Sequence, residues 1–112
     1  VELLVDTAKE TAAGALGNLA LDSRGRALLV HAGGIPELLA LLGPSATPGA
    51  REAAAGAVEN CSFDDIICRK LVEAGAVELL VDMMHGDGDG QREAAAAALR
   101  GLCPKLDEAK LS

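Results

Sequence analysis

The chain contains no tryptophan and no tyrosine, and its one aromatic residue is Phe63. A domain of 112 residues without large rings has to build its core from Ala, Leu, Val and Ile. Small side chains let helices approach closely, and many short contacts replace a few large ones. No apolar run approaches the ~20 residues that cross a bilayer as a helix, and nothing resembles a signal peptide. Positive charge is also scarce, with 10 Lys and Arg against 17 Asp and Glu and a net charge of -7. That balance argues against a nucleic-acid backbone or an anionic membrane surface as the main partner and favours a basic segment of another protein; the short apolar runs give no expectation of membrane insertion.

Chemistry-bearing patterns are missing too. Cys61, Cys68 and Cys103 show no CxxC spacing and no nearby pair of histidines. They read as free, buried thiols of a reducing compartment, so a cytoplasmic protein is expected. Gly86-Asp87-Gly88-Asp89-Gly90 looks like the start of a calcium loop, but the twelfth position counted from Asp87 is Ala98 rather than the bidentate Glu such a loop needs. No Gly-Lys-Ser/Thr follows, which removes a phosphate loop. His31 and His85 fall at expected helix ends, and neither Cys61 nor Cys103 has a positioned base. No catalytic residue, cofactor or metal ligand is expected.

What is present is repetition. Lys9-Glu10-Thr11-Ala12-Ala13-Gly14-Ala15-Leu16-Gly17-Asn18 returns as Arg51-Glu52-Ala53-Ala54-Ala55-Gly56-Ala57-Val58-Glu59-Asn60. It returns again as Arg92-Glu93-Ala94-Ala95-Ala96-Ala97-Ala98-Leu99-Arg100-Gly101. The linking segments repeat in the same register, with Leu21-Asp22 matching Phe63-Asp64 and Ala32-Gly33 matching Ala74-Gly75. A period of about 42 residues marks a helical solenoid, in which each unit buries its apolar face against its neighbours.

Punctuation divides the unit. Gly33-Gly34-Ile35-Pro36 opens a short helix over 35–42, since proline near the first turn costs no hydrogen bond. Gly43-Pro44 stops it, a loop covers 45–49, and an Ala-rich helix follows over 50–62. Asp64 or Asp65 caps a further helix that ends at Ala74-Gly75, where glycine supplies the left-handed cap.

Three helices per unit, an Ala-Gly-(Ile/Val) entry, Glu-Leu-Leu on the second helix and Glu-Ala-Ala-Ala-Gly-Ala-(Leu/Val)-x-Asn on the third closely resemble the armadillo repeat. The resemblance spans about residues 1–103 and implies an all-α fold: a right-handed armadillo-type α-solenoid of about three three-helix repeats, at 1–32, 33–74 and 75–112. It also implies a non-catalytic scaffold or adaptor that holds an extended partner segment in a groove lined by the third helices. Two other roles fit the same fold: lateral packing in a cytoskeletal or ciliary assembly, and the substrate-recognition region of a U-box-type ubiquitin ligase.

Residues four apart share a helix face, so the groove column reads Glu10, Gly14, Asn18, Asp22, then Glu52, Gly56, Asn60, Asp64, then Glu93, Ala97, Gly101, Lys105. By resemblance, Asn18 and Asn60 hydrogen-bond a peptide backbone, because an amide both donates and accepts; bracing of the adjoining loop is the structural alternative. The importin-α subfamily pairs such Asn residues with Trp one turn earlier, where this chain has Gly14, Gly56 and Ala97. These glycines either open the groove floor or let helices pack tightly. Glu10, Glu52 and Glu93 either favour the positive end of a helix or form a negative rim for Lys and Arg. Asp22 and Asp64 are helix caps first and groove acids second.

The first unit is irregular. Glu2 lies 35 residues before Glu37, whereas Glu10 lies 42 before Glu52. Either the loop between those helices is deleted or about seven of its residues are missing from the sequence; the chain reads as a piece of a longer array with further repeats as neighbours, and its apolar end faces are expected to leave the segment alone poorly stable or prone to aggregate. The segment after Pro104, with Leu106 and Leu111, either starts a fourth unit or caps the array.

Overall fold

The computed structural model describes the backbone of residues 2–111 and the side chains of residues 5–102. Lys105, Leu106, Leu111 and the thiol of Cys103 lie outside the described side chains. Among the described residues seven helices follow one another: α1 (Glu2–Leu19), α2 (Ser23–His31), α3 (Gly34–Leu42), α4 (Pro48–Cys61), α5 (Asp65–Glu73), α6 (Ala76–Met84) and α7 (Asp89–Leu111). No strand occurs among the described residues.

Local chemistry sets most boundaries. Asp22 accepts the Gly25 N–H at 2.7 Å and starts α2. Asp64 accepts the Ile66 and Ile67 N–H groups at 3.0 and 3.1 Å and starts α5. Thr47 accepts the Ala50 N–H at 3.2 Å, and Pro48 follows at the first turn of α4, where no intrahelical donor is lost. Gly33 and Gly75 take φ of 75° and 100° between the first and second helices of their units. A side chain is strained there, so glycine is the residue that makes the corner.

Three long helices form the backbone of the array, with α4 packed between α1 and α7. The shorter α3 packs on α4, α6 packs on α7, and α3 meets α6. The first helices α2 and α5 complete each corner. The array is elongated, 47 × 31 × 18 Å. Its core is small-residue and aliphatic: Ala50, Ala54, Ala55, Ala57, Val58 and Cys61 of α4 are 0% exposed, as are Leu38, Leu42, Leu71, Leu80, Met83 and Leu102. Phe63, by contrast, is 78% exposed.

The structure also corrects the register. The left-handed glycines and the buried positions Gly34, Leu38 and Leu41 recur 42 residues later, as Gly75, Ala76, Leu80 and Met83. Pro36 therefore corresponds to Glu78, and Glu37 to Leu79, one place off the Glu-Leu-Leu match. The buried set Ala54, Ala57 and Cys61 recurs 41 residues later, as Ala95, Ala98 and Leu102. The residue is lost between the second and third helices, where 43–47 is answered by the shorter 85–88. In the first unit, Glu2–Leu19 is one continuous helix, unbroken where the sequence offset changes.

Candidate functional site

The face to test is the one carried by α1, α4 and α7. Gly14 is exposed and Gly56 half-buried, and a Cβ built at either meets nothing within 4 Å. Of the two roles for these glycines, close helix packing is therefore not the one seen; both open onto free space. Gly56→Ala is expected to raise stability by about 0.5–1 kcal/mol, because glycine weakens a helix interior without compensating contacts. Thermal melting followed by circular dichroism should show a midpoint a few degrees higher; an unchanged or lower midpoint would contradict the open geometry.

The two asparagines differ. Asn18 is exposed near the end of α1 and makes no side-chain hydrogen bond among the described residues. Asn60 is half-buried, and its Nδ2 donates to the Gly17 carbonyl at 3.3 Å. Asn60 thus braces α4 against α1. The third unit has Gly101 at this place because a Cβ there would come within 2.5 Å of the Ser62 hydroxyl and 2.7 Å of its Cβ. The amide column ends where α7 closes onto the end of α4.

The glutamates reach forward to the next unit. Glu10 accepts the Thr47 hydroxyl at 2.8 Å, and its carboxylate lies 2.7 Å from where a Cβ on Gly49 would sit. Glu52 lies in the same way against Gly90. Both place negative charge beside the first turn of the neighbouring third helix, α4 or α7, whose N-terminal end carries partial positive charge. The positive helix end is thus the neighbour's, a point the linear repeat does not reveal. Glu93, the last of the series, is exposed. Asp22 and Asp64 spend carboxylate oxygens on their own helix caps. Asp64 also lines a small pocket with His31 and Lys70 between α2 and α5.

Several residues at this site were silent in the sequence. Arg51 donates to Gln91 Oε1 at 2.9 Å and to the Leu42 carbonyl at 3.3 Å, tying α4 to α7 and to its own second helix. Arg92 pairs with Asp89 and donates to the Gly86 carbonyl at 2.7 Å, so the Asp/Gly-rich loop is organised by a guanidinium. No group of three or more metal-ligating side chains is gathered among the described residues. Leu21 and Phe63 stand at equivalent positions just after their third helices and are 65% and 78% exposed.

Cys61 and Cys68 are buried. Burial pushes the Cys61 thiol up to about 11, against the lowering influence of Arg26 nearby. It is protonated at neutral pH, the reverse of what a nucleophile needs. Cys68 donates its S–H to the Ser62 carbonyl at 3.3 Å.

Comparison with known proteins bears on this geometry. Residues 22–63 match the family model described as Armadillo/beta-catenin-like repeat. Neither the curated proteins nor the solved structures contain a match. The matched span opens on the Asp22 cap and closes just after α4, so it encloses α2, α3 and α4 as one unit. Over residues 22–63, then, the chain is similar to an armadillo repeat, consistent with the armadillo repeat family.

Proposed function

We propose that the chain is a non-catalytic interaction module whose α1–α4–α7 face holds an extended, basic segment of a partner protein. Armadillo repeats generally mediate protein–protein interaction. The observation that carries the finer reading is the open column on the third helices: Gly14 and Gly56 admit a chain where any larger residue would stand. Asn18 offers a complete amide to a peptide backbone, and the net charge of -7 favours Lys- or Arg-rich sequence. The reading includes a right-handed stack of about three three-helix units and a cytoplasmic setting, which buried cysteines suit.

A second reading uses another surface. Leu21, Leu28, Phe63 and Ile66 are 60–78% exposed and lie on or beside α2 and α5. Apolar exposure of this kind suits lateral packing into a larger assembly.

The test is capture of partners from native lysate by the parent chain and by Asn18→Ala/Asn60→Ala, read by mass spectrometry. Gly14→Arg/Gly56→Arg serves as a second variant, because it blocks the column without removing the Asn60–Gly17 bond. Partners lost from both variants support the groove. Partners retained by both, and lost from Phe63→Asp, favour lateral assembly.

A further inference from the structure

The charged side chains of the third helices fall into two groups. Glu10 is bound to Thr47, Arg51 to Gln91 and the Leu42 carbonyl, and Arg92 to Asp89 and the Gly86 carbonyl. These are engaged within the molecule. Glu59 of α4 and Arg100 of α7 are not: both are exposed, and neither side chain makes a hydrogen bond or ion pair among the described residues. They hold the same place in their units, one residue before Asn60 and Gly101. The charge at that place is reversed from one helix to the next. Although α4 packs on α7, the two opposite charges form no ion pair with each other. At the same place α1 has Gly17, with no charge.

Both charges lie on the open face. Glu59 is three residues from Gly56, where a Cβ meets nothing within 4 Å, and Arg100 is three residues from Ala97, its counterpart. Residues three apart share a helix face. Four residues to the other side of Gly56 and Ala97 stand Glu52 and Glu93, both exposed. The face therefore has two edges. One is acidic on α4 and on α7. The other is acidic on α4 and basic on α7. A segment laid along the column passes between these edges, and successive side chains of an extended chain point alternately to one and the other. Glu52, Glu93 and Glu59 each call for Lys or Arg, whereas Arg100 calls for Asp or Glu.

We propose that the segment held by the α1–α4–α7 face is not uniformly basic: it carries one acidic residue that pairs with Arg100, about two to four residues from a base that pairs with Glu59. This rests on the groove reading above and adds the charge order of the partner. The spacing follows from the helices, because packed helices stand about 8–10 Å apart and extended chain advances about 3.3 Å per residue. An exposed ion pair contributes little affinity. Its effect is discrimination, since a Lys over Arg100 or an Asp over Glu59 brings like charges together. The net charge of -7 alone favours an all-basic segment, and Arg100 selects against one.

Selection of a phage-displayed library of random peptides on the immobilised 112-residue chain tests this. The enriched sequences are expected to be rich in Lys and Arg, with one Asp or Glu at a constant place. For a synthetic peptide of the enriched sequence, Arg100→Glu is expected to weaken binding at least ~5-fold in fluorescence anisotropy, through one lost ion pair and one new like-charge contact. Arg100→Lys should retain binding, and exchanging the peptide's acid for Lys should restore its binding to Arg100→Glu. Arg100 is exposed, so circular dichroism of both variants should match the parent. Peptides that are basic throughout, or that bind Arg100→Glu as tightly as the parent, overturn the charge order; if they also lose binding to Gly14→Arg/Gly56→Arg, the groove reading stands without it. Enriched peptides indifferent to Gly14→Arg/Gly56→Arg, or no enrichment at all, overturn both.

Discussion

Gly25→Ala is expected to cost the chain about 3 kcal/mol or more, the upper range for forcing atoms into a packed site. A Cβ at this position would stand 1.8 Å from the Leu19 carbonyl oxygen and 2.7 Å from its carbon. Both are backbone atoms, so no side-chain rotation relieves the clash. The corner is held from two further directions: the Gly25 N–H is bound to Asp22 at 2.7 Å, and Arg26 donates to the Ala20 carbonyl at 3.0 Å. Opening it to admit a methyl group breaks these bonds and moves α2 off α1. A chain of this length holds about 5–15 kcal/mol in total, so the loss is a large share. Urea denaturation followed by circular dichroism should show a much lower midpoint. A midpoint equal to that of the parent would mean that the α1–α2 corner is wider than its geometry states. The equivalent residue in the next unit is Ile67, 4% exposed, so the demand for glycine belongs to this corner and not to the repeat.

Ala54→Leu is expected to cost about 1–3 kcal/mol. Ala54 is 0% exposed on α4, the helix that packs against α1 on one side and α7 on the other. Neighbouring Ala50, Ala55, Ala57 and Val58 are also 0% exposed, so there is no void into which three more carbons can relax. The opposite change is unfavourable too: Ala54→Gly should lose about 1 kcal/mol through helix propensity. Losses in both directions, measured by the same denaturation, would identify alanine as the size that sets the spacing between third helices. Tolerance of leucine within about 0.5 kcal/mol would show instead that the helices slide apart easily.

Much of the fold was legible from residues close together in the chain. The repeat of Glu52-Ala53-Ala54-Ala55-Gly56-Ala57 in three copies marks the third helices, and α1, α4 and α7 carry them. Asp64 as a cap and Gly75 as a left-handed corner follow from chemistry within four residues, because a cap satisfies N–H groups one turn away. The core of small aliphatic side chains follows from the want of aromatics. The open column at Gly14 and Gly56 is legible only as a choice, since glycine serves equally where a helix is bare and where another backbone presses against it.

By itself, then, the sequence determined the helical repeat, the points where the chain turns, the composition of the core and the acidic character of the surface. These depend on periodicity, capping and composition, all of which are local. Only the tertiary structure decided what faces what across about 40 residues of chain. It placed Glu10 and Glu52 on the neighbouring helix rather than their own, and joined Asn60 to Gly17. It spent Arg51 on Gln91 and pressed Gly101 against Ser62. Such contacts are set by how far one helix stands from the next. That distance is a balance over many small buried side chains, so no single residue announces it.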